Sequence, residues 1–318
     1  MMSKQLEGKT APAAATFQKA ATRGPFTPHR RRRGQITVYL WALPALILVI
    51  GVVHFGIAAN GYYSLFDWSG VGDPTTFVGI DNYTTVTNDP EFWQSLGNTF
   101  VFAVVTVTVQ MLLGLGLAVL VRTQTRLRSV LRTLVFVPVV LAPAVVATSF
   151  RFLLTPDGAF NQFLDSVGFS GFEQPWLADP KTALMTIMAI NIWQYTGYSF
   201  LIYDAAIGQI DNAIFEAARI DGASTGQLVR LVVLPMLSGS HVVLVVLGFI
   251  SSLKMFDLVF LTTGGGPGTT TQVLTGYIYQ QVISQFHAGI GAAVSIVLVL
   301  IALLFAVLQV RLSTRESR

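Results

Sequence analysis

Apolar residues run in six long blocks along this chain, at about 36–60, 98–121, 132–154, 182–205, 240–262 and 289–311, with polar or charged segments between them. Each block approaches the ~20 residues a helix needs to cross a hydrocarbon core about 30 Å thick. Helices are the expected spanning form, because lipid offers exposed backbone groups no partner and a helix satisfies its own. The pattern predicts an all-α integral membrane protein with six transmembrane helices over residues 35–312. Residues 1–34, rich in Ala, Thr, Pro and Lys and ending in Arg30 to Arg33, read as a disordered basic cytoplasmic tail. Residues 313–318 form a short cytoplasmic tail at the other end. Between spans four and five lies a long polar loop, 206–236.

Composition agrees with the pattern: hydrophobic residues make up 53 % of the chain and charged residues 11 %, with mean hydropathy +0.61, too apolar for a soluble domain. Zero cysteines exclude a disulfide scaffold and a thiolate metal site, and four scattered histidines offer no ligand spacing, so no metal site is expected. The redox compartment stays undetermined. A net charge of +4 raises nucleic acid as a partner, but the basic residues flank the hydrophobic blocks, where membrane topology explains them. Arg30 to Arg33, then Arg122, Arg126, Arg128 and Arg132, then Arg219 and Arg230, then Arg311, Arg315 and Arg318 all fall on one side if the spans alternate. The segment 60–98 has no Lys or Arg but carries Asp67, Asp73, Asp81, Asp89 and Glu91. Both termini and the 206–236 loop are therefore expected in the cytoplasm. Gly56-Ile57-Ala58 resembles a cleavage site, but the apolar run before it is longer than the 7–15 residues of a signal core.

The polar loop has strong local signals. Asp211 can cap a helix over Ala213 to Arg219, Gly222 supplies the free backbone of a sharp reversal, and Ser224 with Gln227 reads as a capping box. A second short helix should start there and stop at Pro235. Ala217, Ala218 and Ala223 keep the turn slim, and Glu216 and Asp221 put charge at its rim. This describes a docking surface or an ordinary connecting hairpin.

The spacing Glu216-Ala217-Ala218, three residues, Gly222, nine residues, Val232-Val233-Leu234-Pro235 resembles the EAA loop of binding-protein-dependent ABC importer permeases, with Val232 where that pattern has Ile. The similarity extends to Phe77 through Tyr83, to Asn98-Thr99, and to Phe256-Asp257 leading into Thr263 through Gly268, which look like the carbohydrate-uptake branch and the larger maltose-transporter membrane subunit. His54-Phe55-Gly56 stands where the family often has Tyr-Pro-Ile, and Asp211 where it often has Pro. The resemblance implies that Glu216, Ala217, Ala218, Asp221, Gly222, Ala223, Leu234 and Pro235 form the coupling loop that seats in an ATPase subunit. It further implies a second permease, an ATPase dimer, an extracytoplasmic solute-binding protein and a sugar or sugar derivative as cargo, in the bilayer of a bacterial or archaeal inner membrane. No Walker motif occurs in the chain, and Gly264 to Gly268 lacks the Lys-Ser/Thr that ends one. ATP and Mg are therefore expected on partner subunits, with no cofactor in this chain. No catalytic triad or carboxylate pair is arranged either, so no enzyme activity is expected.

Polar groups inside a span normally face a cavity or a partner helix. Asn191, Gln194, Tyr195 and Tyr198 fall on one face of span four, and span five adds Ser251, Ser252, Lys254, Phe256 and Asp257. Amides, hydroxyls and aromatic faces together suit a sugar, while the same residues also serve helix packing. The pathway expected here is Asn191, Gln194, Tyr195, Tyr198, Ser252, Phe256 and Asp257. Lys254 and Asp257 are spaced to neutralise one another across a helical turn. Asp204 is expected to snorkel or to pair with a basic loop residue, and His54 to be hydrogen-bonded in packing. Pro138, Pro143, Gly114 and Gly116 permit kinks or close helix approach. The rival functions are a self-sufficient secondary transporter or facilitator, which leaves the ordered loop unexplained, and a membrane-embedded enzyme.

Overall fold

A computed structural model describes residues 33–123 and 128–316; most of the basic N-terminal tail, with Arg126 and Arg318, lies outside them. The chain forms two compact units, Met1–Phe55 and Gly56–Arg318. In the first, helix α1 (Arg33–Leu48) runs into a π-helical turn, Val49–His54, where His54 Nδ1 pairs with the Val49 carbonyl at 3.2 Å. His54 is exposed there and packs no core. Helix α2 (Phe55–Tyr63) follows. Within this run Trp41–Tyr63 is 23 residues long with mean hydropathy 2.3, enough to cross a membrane.

A small antiparallel ribbon comes next, β1 (Phe66–Asp67) with β2 (Thr76–Phe77), a detail beyond the all-α expectation. Asn82 in helix α3 (Asp81–Asn88) locks it by donating from Nδ2 to the Ser64 and Phe66 carbonyls, each at 2.8 Å. Helix α4 (Pro90–Thr123) is one unbroken rod of 34 residues, about 51 Å at 1.5 Å per residue. Helices α5 (Arg128–Val140) and α6 (Pro143–Leu153) meet at 92°. The predicted third span is thus two helices. The break falls where Pro143 lacks the N–H that would continue the ladder.

After α7 (Ala159–Ser166), helix α8 (Ala183–Gly208) runs through the middle of the unit. It contributes to two buried apolar clusters. One joins it to α4, α6 and the later helix α13 (Asp257–Thr262) through Phe102, Val146, Ile187 and Leu258; the other joins it to α4, to α12 (Ser238–Leu253) and to the 211–237 loop through Ala118, Phe200, Phe215 and Leu244. Glycines set the helix spacing. A Cβ added to Gly114 on α4 would lie 2.7 Å from the Phe200 nitrogen, and one added to Gly197 on α8 would lie 2.2 Å from the Val135 carbonyl oxygen. Dispersion between closely packed backbones is what holds helices together where no water is expelled. Gly116 has open space around it and plays no such part.

The loop holds α9 (Asn212–Ile220), α10 (Thr225–Leu228), a π-helical turn Val229–Val233 and α11 (Leu234–Met236). Its second helix therefore passes Pro235 by one residue, and the proline's missing N–H is accommodated by the wider turn before it. The chain then bends by 68° into α12 (Ser238–Leu253). The predicted fifth span breaks at Lys254 to Phe256 and resumes as α13 (Asp257–Thr262). The Met255 carbonyl, released from the ladder, accepts from the Thr275 hydroxyl instead. Short α14 (Leu274–Tyr279) and the long α15 (Ala288–Glu316) complete the unit, with Val86, Phe92, Leu274, Tyr277 and Val294 forming a third cluster.

Asn98 on α4 donates to the Thr270 and Gln272 carbonyls at 3.0 and 2.8 Å, and Thr99 accepts from the Leu274 N–H at 2.9 Å. Those two side chains pin the glycine-rich loop 263–272 against α4. Among the described residues three stretches are long and apolar enough to span by themselves, Trp41–Tyr63, Pro90–Val121 and Ala288–Gln309; the two bent pairs meet the measure only when each is taken together. Helix α8 has the length, at 26 residues, but its polar stripe lowers its hydropathy below theirs.

Candidate functional site

Two regions carry the polar groups that an apolar chain would not keep without use. The first is a cavity of about 680 Å³ between α4, α8 and the α12–α13 break. All seven residues singled out in the sequence line it: Asn191, Gln194, Tyr195 and Tyr198 from α8, Ser252 from α12, Phe256 from the break and Asp257 from α13. Their convergence follows from three local causes. The 3.6-residue repeat of α8 sets its four on one side. The glycine contacts at 114 and 197 hold that side close to α4. The α12–α13 break turns Phe256 and Asp257 into the same space.

Gln110, on α4, also lines the cavity and donates from Nε2 to Asn191 Oδ1 at 2.9 Å and to the Asn191 carbonyl at 3.2 Å. It was not among the sequence candidates because a single amide in a long apolar helix has no helical partner to mark it. Gln194 donates from Nε2 to the Leu141 carbonyl at 3.0 Å. That carbonyl is freed by the α5–α6 break, as helix C-terminal carbonyls always are. Gln194 Oε1 is buried and has no hydrogen-bond partner. Turning the amide over would set two oxygens against each other at Leu141, so the orientation is fixed and the acceptor stays open. A buried unpaired acceptor costs about 1–3 kcal/mol.

Ser252 donates back to the Gly248 carbonyl at 2.9 Å, so its proton is spent within its own helix. Its neighbour Ser251 lines the same cavity and is exposed to it. Phe256 stacks on Phe260 at 4.9 Å and 17°, with Tyr279 5.3 Å away. Among the described residues no ion pair joins Lys254 to Asp257: the helix ends between them, which removes the turn across which they would neutralise. Asp204 is buried and pairs with Arg132 of α5, so it does not snorkel. A separate apolar recess of about 540 Å³, walled by Phe150, Trp176 and Trp193 among others, offers few hydrogen-bonding groups.

The second region is the loop. Asp211 Oδ1 accepts from the Ala213 N–H at 3.0 Å, opening α9. Gly222 takes φ +80°, and the Ala223 N–H returns to the Ala218 carbonyl at 2.9 Å, closing α9 in the left-handed turn that glycine permits. Ser224 and Gln227 form both halves of the capping box, at 2.8 and 3.4 Å. Phe215 and Val233 are buried and anchor the two arms. Glu216, Ala217, Asp221, Gly222 and Pro235 stay exposed, and Ala218, Ala223 and Leu234 are half-buried. Ile220 is 86 % exposed at the tip. A recess of about 360 Å³ opens between the arms, bordered by Asn212, Glu216, Arg219, Ala223 and Thr225. The loop is therefore a rigid projection carrying small, charged and apolar groups on its outer side.

Residues 110–318 match the family described as the inner membrane component of binding-protein-dependent transport systems. A probable ABC transporter permease protein of Pyrococcus horikoshii is 37 % identical over 267 residues, 84 % of this chain and 91 % of that protein. The lactose transport system permease protein LacF of Rhizobium radiobacter is 32 % identical over 283 residues, covering 88 % and 94 %. Among solved structures, a bacterial alginate ABC transporter in complex with an alginate pentasaccharide-bound periplasmic protein has a chain of the same fold, with TM-score 0.79 at 22 % identity, covering 90 % of this chain and 96 % of that one. The chain belongs to the family of binding-protein-dependent transport system inner membrane components, and is a multi-pass permease subunit of an ABC importer.

Proposed function

We propose that this chain forms half of the translocation pathway of an ATP-driven importer for a sugar or sugar derivative. The observation that carries the reading is the 680 Å³ cavity whose lining brings together the amides of Gln110, Asn191 and Gln194, the phenols of Tyr195 and Tyr198 and the Phe256 ring. Sugar hydroxyls donate and accept, as amides and phenols do, and a sugar's apolar ring face suits Phe256. The lactose permeation assigned to one relative and the alginate oligosaccharide held by the periplasmic partner of the solved transporter agree in chemistry.

In this reading the chain crosses the inner membrane six times: by Trp41–Tyr63, α4, the α5–α6 pair, α8, α12 with α13, and α15. Both termini lie in the cytoplasm. A second permease supplies the other half of the pathway, an ATPase dimer binds ATP and Mg, and an extracytoplasmic solute-binding protein delivers the sugar. The loop from Glu216 to Pro235 seats on the ATPase, with Ile220 and Ala217 toward its partner and Glu216 and Asp221 at the rim. Nucleotide can drive transport only by binding one conformation of the assembly more tightly than the other, so the loop must differ in position between the two.

The test is reconstitution of this chain with its partners in liposomes, followed by ATP-dependent uptake of labelled lactose, maltose, trehalose and uronic-acid oligosaccharides. Uptake of at least one of these that needs both ATP and the binding protein is expected. Equal flux through the chain alone would replace the importer with a facilitator.

A further inference from the structure

Two consecutive residues near the end of α8 reach in different directions. Asp204 pairs with Arg132 on α5. Tyr203, 1 % exposed, shares a hydrogen bond of 2.7 Å between its hydroxyl and Nδ1 of His241. His241 sits in the first turn of α12, and its N–H bonds the Leu237 carbonyl at 3.0 Å. Leu237 is the residue at which the loop's second helix bends by 68° into α12. A displacement of the loop therefore reaches His241 within one helical turn of the bend.

From Tyr203 the same rigid helix leads to the cavity. Nine residues separate Tyr203 from Gln194, about 14 Å at 1.5 Å per residue. Phe215, Val233 and Leu237 of the loop share a buried apolar cluster with Phe200 and Ile207 of α8. Packed apolar faces can slide past one another at little cost, as in shear motions. A hydrogen bond cannot, because it fails beyond about 3.5 Å and its failure would strand a buried phenol.

We infer that the Tyr203–His241 hydrogen bond carries the movement of the 211–237 loop into the cavity wall, making these two residues positioning residues for transport. The inference rests on the importer reading above. It requires that the bond persist through the cycle, so that α8 follows α12 and does not slip against it. Asp204 and Arg132 hold α5 to the same end of α8, so the α5–α6 break and its Leu141 carbonyl, bonded to Gln194, move with it.

The chain contains no cysteine, so Ser251→Cys gives it a single thiol, in the cavity, whose labelling is read on this chain after the subunits are separated. The assembled complex of this chain with its second permease, ATPase and solute-binding protein is placed in lipid nanodiscs, and reaction of that thiol with a membrane-impermeant reagent is timed with and without Mg and a non-hydrolysable ATP analogue. In the parent the nucleotide is expected to change the rate by about fivefold or more, within the usual range of allosteric coupling. Tyr203→Phe, which removes one oxygen and keeps the ring, should abolish that change while the ATPase still co-purifies and binds nucleotide. His241→Asn, whose amide nitrogen takes the place of imidazole Nδ1, should restore at least half of it, and His241→Leu should not. A full nucleotide response in Tyr203→Phe overturns the inference, as does loss of the response in His241→Asn or loss of ATPase from Tyr203→Phe, either of which assigns the pair to packing alone. An unresponsive parent thiol instead removes the importer reading, and this inference falls with it.

Discussion

The cavity and the loop solve opposite problems with the same helical chain. The cavity keeps polar groups inside an apolar bundle, and its three buried amides are tied to distant elements: Gln110 to Asn191 across 81 residues, Gln194 to Leu141 across 53. The loop keeps its polar groups outside and is held by bonds that span two to five residues, at Asp211, Ala223 and Ser224. Shape in the first depends on how helices meet; in the second it is written into one stretch of chain and needs only Phe215 and Val233 to fasten it down. The lesson is that the two should fail separately. Damage to helix contacts should disturb everything, whereas damage to the loop should sever coupling from an intact bundle.

The strongest strike on this contrast is Gly197→Val. Its Cβ would fall 2.2 Å from the Val135 carbonyl oxygen, and overpacking of this kind costs about 1–3 kcal/mol or more. We expect the melting temperature to drop and both uptake and ATPase association to disappear, measured by thermal unfolding in detergent and by co-purification. Gly222→Val should be the reverse case. A β-branched residue at φ +80° is strained by about 1–2 kcal/mol, all of it in the loop, so uptake and ATPase association should fall at least tenfold with the melting temperature unmoved. A matching drop in melting temperature would mean the loop is part of the bundle's core.

Gln194→Leu sharpens the cavity side. It deletes the bond to Leu141 that fixes this wall of the cavity while filling the space, and a loss of about 1–1.5 kcal/mol in the wall's placement corresponds to roughly tenfold in affinity. Uptake should show that rise in KM with ATPase association unchanged. Ser224→Ala is the mildest, removing one half of a capping box worth about 1 kcal/mol. A two- to fivefold weakening of ATPase association, read by titration, is the expected result, and no change at all would show that partner contacts rather than caps set the loop's form.

The sequence made the loop legible because its determinants are short-range: Asp211, Gly222 and the Ser224–Gln227 pair act on neighbours, and each does in the structure what its type predicts. The α8 stripe was legible for a similar reason, since four polar residues at helical spacing declare a face. What lay out of reach was who faces it. Gln110 looks like a stray amide until α4 and α8 are brought together by Gly114. Apolar blocks three and five read as single spans because hydropathy averages over a break; Pro143 marks one break, but the other is taken up by Thr275, twenty residues from the Met255 carbonyl it binds. The same break separates Lys254 from Asp257, which sequence spacing had joined. Asp204 pairs with a basic residue as expected, but Arg132 stands in helix α5 and not in a loop.

The Asn98 side chain has a consequence for how the protein is made. Its two carbonyl partners lie 172 and 174 residues further along the chain. At a synthesis rate of about 5–20 residues per second, they leave the ribosome roughly 9–35 s after Asn98 does. Through that interval the start of α4 enters the membrane with its amide unsatisfied, and the glycine-rich loop that will cover it does not yet exist. The last third of the chain thus completes a site begun by the first, and nascent chains truncated before Thr270 should be the ones that quality-control proteases remove fastest.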